Sequence, residues 1–110
     1  MGVCGRVADY CTLADAKLIL HIDDSEASWD AELAACISSG SAMVDTLLKA
    51  AGLTVPEVVP QLLRDAAACF AAWLYRRRRD PAAAEVFWQD ANRYVSAYID
   101  AETDSVVGAV

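Results

Sequence analysis

The residues able to do chemistry in this chain fall in three places. His21, the sole histidine, is followed closely by Asp23, Asp24 and Ser25, the composition of a nucleophile–base–carboxylate set. A working set needs the base within hydrogen-bond reach of the nucleophile and oriented by the third group. Here all four residues crowd one short stretch at an expected helix end, where a histidine and solvated carboxylates are ordinary. The "IDDSE" carboxylates do not follow the calcium-loop spacing. Cys4, Cys11, Cys36 and Cys69 are scattered with no C-x-x-C pair, so the clustered soft ligands of a zinc site are missing. They read as reduced thiols used as small apolar residues of a cytoplasmic protein. With no glycine-rich phosphate loop and no nucleophile elbow either, the expectation is no catalytic residue, no metal and no cofactor.

The third place is "WLYRRRRDP", which sets four consecutive arginines in a chain of net charge -7. At about 100° per residue, adjacent helical positions point in nearly all directions and cannot form one patch. Arg77 follows Phe70 by one heptad and sits above the apolar stripe, whereas Arg79 points to the opposite side. Cations at a helix C-terminus suit its last carbonyls and dipole, and an arginine stem can cover the end of a bundle. The run can therefore be helix-end cover, a contact with acidic residues of a neighbouring subunit, or a phosphate contact. With 16 acidic against 9 basic residues, the chain lacks the overall basic footprint of a DNA or anionic-membrane binder. The inter-subunit expectation pairs at least one of Arg76, Arg78 and Arg79 with carboxylates such as Asp23, Asp24 and Glu26 of a neighbour's "DDSE" loop.

Those residues need helices to hold them. Thr12 with Asp15 forms a capping box for a first helix over 12–22. Ser28 is an N-cap for a second over 28–51, with Asp30 and Glu32 in its first turn and Gly52 as its stop. Its middle, "SSGSA", predicts either a bend or the close approach of another backbone. Pro60 opens a third helix over 60–78, and Asp80-Pro81 caps a fourth over 81–100. Trp29, Leu33, Ile37, Leu47, Leu63, Phe70, Trp73, Phe87 and Tyr94 are the expected large core. Much of the 56% hydrophobic content is alanine, so that core is thin and has burial to gain from a partner. The fold class is all-α, one domain over 1–110, a bundle of three to four helices whose last two form an antiparallel hairpin. Residues 1–11 and 102–110 are expected to be flexible termini. The longest uncharged apolar run, "AAACFAAWLY", is about half of what spans a bilayer, and "MGVCGRVADYC" has no long apolar stretch. A soluble protein with no membrane partner is expected.

Thr12, Asp15, Lys17, Leu20, Ile22 and Asp23 follow a "T-x-x-D-x-K-x-x-L-x-I-D" opening. Val59, Pro60, Leu63, Arg64 and Ala66 follow "V-P-x-x-(I/L)-(K/R)-x-A". In this order, across roughly residues 10–100, the chain resembles the tailed-phage head–tail connector family, the small adaptors that bind beneath the portal. Many members carry a longer loop where this chain has "AGLTVPEVVP", and the last helix matches no motif of the family. The resemblance implies a structural neck adaptor with no chemistry. It would form a ring, often of twelve copies, between the portal and a downstream tail or stopper protein. DNA would be passing cargo in a channel with acidic walls. It would sit in the virion neck, and in the host cytoplasm before assembly. The alternative reading is a cytoplasmic helical regulatory module that binds a partner protein or nucleic acid through its arginine-rich helix end.

Overall fold

The computed structural model describes the backbone of residues 9–108 and side chains as far as Thr103. Four helices follow one another: α1 Leu13–Leu20, α2 Asp30–Ala50, α3 Gln61–Arg77 and α4 Pro81–Gly108, with no strand among the described residues. The chain is thus all-α, and α3 and α4 pack closely as an antiparallel hairpin joined only by residues 78–80.

Local chemistry explains the boundaries. The Thr12 hydroxyl accepts from the Asp15 N–H, and the Asp15 carboxylate accepts from the Thr12 N–H, closing the capping box. Asp80 accepts from the Ala83 N–H at 3.1 Å and caps α4. Pro60 is the N-cap of α3 rather than its first residue. The expected Ser28 cap is not used. Its N–H is drawn to the Glu26 carboxylate at 3.0 Å, and α2 begins after Trp29 without a side-chain cap.

The centre of the molecule is α3. Leu63, every residue from Ala66 to Ala72, and Tyr75 are buried, so the middle two turns of this helix are buried all round, and the apolar stripe is resolved only toward its ends. Its alanines are small enough for three helices to approach it together. Helix α2 crosses it unbroken through "SSGSA". A Cβ at Gly40 would stand 3.0 Å from both the carbonyl oxygen of Ala67 and the backbone nitrogen of Ala71. Close approach, not a bend, is therefore what the small residues provide. Helix α1 covers α2 and α3, α4 covers the other side of α3, and α1 and α4 do not touch among the described residues.

Most of the expected core is buried or half-buried, with one correction. Leu33, Ile37, Leu63 and Phe70 are buried, and Leu47, Trp73, Phe87 and Tyr94 half-buried. Trp29 is 44% exposed. It precedes the first turn of α2, outside the reach of the α3 stripe, and the Arg79 guanidinium lies 5.3 Å from its ring centroid.

The termini also differ from expectation. Tyr10 and Cys11 are buried, and the Tyr10 N–H donates to the Ser41 hydroxyl at 3.0 Å. Residues 1–8 lie outside the described residues. At the other end α4 continues as helix to Gly108, and residues 109–110 are outside the description.

Candidate functional site

Helix α1 stops at His21, whose backbone is left-handed at φ 61°, a conformation in which His is enriched among non-glycine residues. The chain then reverses through "DDSEAS", and the buried Lys17 holds that loop in place. Its Nζ donates to the carbonyls of Asp24 at 3.2 Å and Glu26 at 2.8 Å. It also stands 2.8 Å from Asp30 Oδ1, an ion pair whose angle falls outside hydrogen-bond geometry. Asp23 Oδ1 accepts from both the N–H and the hydroxyl of Ser25, at 2.9 and 2.7 Å. Those two bonds hold the Asp23 carboxyl below the usual range, and the Ser28 bond does the same for Glu26. The Ser25 hydroxyl is thus turned to Asp23, not to His21. The loop is a turn held by a lysine, and its side-chain carboxylates remain exposed.

A second network binds the two ends of the motif. Arg64 on α3 donates to both oxygens of Asp15, at 3.0 and 3.3 Å. Burial works against the charge of Asp15, but the Arg64 and Thr12 hydrogen bonds prevail and keep its carboxyl below the ordinary range.

The arginines at the end of α3 separate into distinct roles. Arg79 is committed within the chain. It grips both oxygens of Glu32 at 3.2 and 3.0 Å, donates to the Tyr75 carbonyl at 2.8 Å, and lies 4.0 Å over the Tyr75 ring. This bidentate grip keeps the Glu32 carboxyl below its usual range. Arg77 lies over Trp73 at 4.5 Å, the stem-and-cover role expected of it. Arg78 is largely exposed and only approaches Glu32, at 3.9 Å. Arg76 is half-buried and makes no ion pair among the described residues. Of the three arginines expected to reach a neighbour, Arg79 is spent and Arg76 and Arg78 remain.

The Arg79–Glu32 grip places the end of α3 against the first turn of α2, which the acidic loop feeds. Arginines and acidic loop therefore share one end of the bundle. At that end a groove between α2 and α3 has Glu32, Arg77 and Arg78 around Ala35, Cys36 and Leu74. A separate apolar hollow of about 380 Å³ lies between α2, α3 and α4, floored by Met43, Leu47, Phe70 and Trp88. Trp88 stacks against Phe70 and Trp73, with centroids 5.6 and 4.5 Å apart.

Of the four cysteines, Cys4 lies outside the described residues. Cys11 and Cys69 are buried, Cys36 is half-buried, all three are free, and burial pushes Cys11 and Cys69 up to about 12. Among the described residues no three His, Cys, Asp or Glu side chains gather to hold a metal ion, and no helix is long and apolar enough to cross a membrane.

Sequence reasoning missed Lys17 as an organiser. The signal was present: with Leu13, Ala16 and Leu20 it keeps i, i+3, i+4, i+7 spacing on the buried face, and a lysine there needs oxygen partners. It also missed Trp88 and the groove, because a hollow between helices has no one-dimensional signature. Comparison with known protein families, with curated proteins and with solved structures finds no match.

Proposed function

We propose that this chain is a structural head–tail connector subunit of a tailed phage or prophage. It docks on the portal and repeats, through contacts at its arginine end, as a ring that extends the DNA channel toward the tail or stopper protein. The observation that carries the reading is where the motif residues meet. Asp15 of the opening, bonded to Thr12, holds Arg64 of the second block, and Lys17 of the opening clasps the loop that begins at Asp23. Scattered chance matches have no reason to converge in one clip. The net negative charge of the chain suits a conduit wall that must not retain DNA.

The test is co-sedimentation with the portal protein encoded by the same genome. The variant R76Q/R78Q leaves Arg79 in place, so helicity and melting stay as in the wild type while portal binding is lost at physiological salt. Normal assembly of this variant makes those arginines helix-end cover only. A wild-type chain that ignores the portal overturns the reading.

The apolar hollow favours a second reading, a cytoplasmic regulatory module that takes a partner's apolar side chain beside the arginines. Gene neighbourhood separates the two: portal, protease and capsid genes beside this one support the connector.

A further inference from the structure

Two surfaces at the arginine end complement each other, and they lie on opposite sides of the molecule. On α2 the buried residues Leu33, Ile37, Val44 and Leu48 mark the direction of the core. At about 100° per residue, Cys36 and Ser39 turn from that direction toward α4, whereas Ser41, which bonds Tyr10, turns toward α1. The charged groove lies on the Cys36 side of α2, with Arg77, Arg78 and the Glu32 carboxylate, itself held by Arg79, around Ala35, Cys36 and Leu74. On the outer face of α1, Leu18 is 77% exposed, beside Ile22 and bordered by Asp23 and Asp24. Leu18 on one surface and the Leu74–Cys36 pair on the other are apolar, and the charges of Asp23 and Asp24 are opposite to those of Arg77 and Arg78.

We propose that the groove's occupant is a second copy of this chain. Leu18 of one copy seats between Leu74 and Cys36 of the next, with Asp23 and Asp24 facing Arg77 and Arg78. The contact is heterologous, one face against a different face, so repetition closes a ring or extends a filament. It deepens the connector reading by naming the contact between subunits, and it rests on that reading only for the ring's use. The charge match sets orientation and exclusion of wrong registers, while the buried leucine supplies the hold.

The test uses full-length chain without portal, so its failure is separate from failure of portal docking. In a Cys4→Ser background, Leu18→Cys is oxidised in air with copper phenanthroline at up to about 1 mM chain, a concentration that populates even weak contacts. Non-reducing gels show a ladder, and peptide mass spectrometry places the disulfide between position 18 of one copy and Cys36 of the next. Adding Cys36→Ser abolishes it. Arg78→Glu or Asp24→Arg alone lowers the yield about tenfold, and the two together restore it, which also shows that both chains are folded. Absence of the 18–36 linkage, or a yield indifferent to both charge reversals, overturns the proposal.

Discussion

Replacing Gly40 by alanine sets two effects of opposite sign against each other. In a helix interior glycine is less favourable than alanine by about 1 kcal/mol, so propensity alone makes Gly40→Ala stabilising. Packing opposes this. The new methyl would lie 3.0 Å from the Ala67 oxygen, 3.0 Å from the Ala71 nitrogen and 3.2 Å from the Phe70 Cβ. Ala67 and Ala71 are one helical turn apart, so the methyl presses on the backbone of α3, which has no rotamer to yield. Pushing α2 outward would strip contacts from Val44 and Ile37, both buried. Overpacking of this kind costs about 1–3 kcal/mol. The net is a loss of about 0–2 kcal/mol, read as a lower urea midpoint at unchanged slope and a melting temperature lower by about 4–8 °C per kcal/mol. Ser39→Ala, one residue away and exposed, is the control and gains a few tenths of a kcal/mol. A Gly40→Ala protein more stable than the wild type by the full propensity gain of about 1 kcal/mol would refute the close crossing of α2 over α3.

Lys17→Met removes the clasp on the acidic loop and leaves Asp30 without its cation. It should cost about 2–3 kcal/mol in urea unfolding and speed amide exchange over residues 23–28. Arg79→Gln lowers stability only slightly, because Arg79 is solvent-screened at 38% exposure, and a double-mutant cycle with Glu32→Gln shows coupling where Arg78→Gln shows little. The carboxyls of Asp15 and Glu32 are depressed in the folded chain, so their contribution is present above their ordinary values of 3.8 and 4.5. Stability drops as pH falls below about 4, less steeply for Arg79→Gln. Cys11 and Cys69 are raised from 9.0 to about 12, the opposite sign: stability falls as pH climbs past about 9, and at pH 8 iodoacetamide labels Cys36 well before either.

The helices were legible because caps and stops are local. Thr12 with Asp15, Asp80 with Pro81, and Gly52 each act within a few residues, and the boundaries at those points fall within one or two residues of expectation. The α4 extension beyond residue 100 was not legible, since "ETDSVVGAV" has too few apolar residues to mark a helical face. Trp29 misled for a related reason. Its type fits a core, but its place before the helix leaves it 44% exposed under the Arg79 guanidinium. The arginines show a limit of another kind. Periodicity placed Arg77 over the aromatic stripe, yet the partner of Arg79 sits 47 positions away on α2, and only the crossing of α2 over α3 brings Glu32 there. The sharing of one bundle end by acidic loop and arginines is likewise a product of tertiary packing.

The central claim is assembly on a portal, and electron microscopy of the chain mixed with the portal encoded by the same genome tests it directly. The account predicts a closed ring beneath the portal, coaxial with its channel. Its subunits should contact one another between the α1 face of one copy and the α2–α3 groove of the next. Portal particles that remain bare, with the chain left as free monomer at physiological salt, would contradict it.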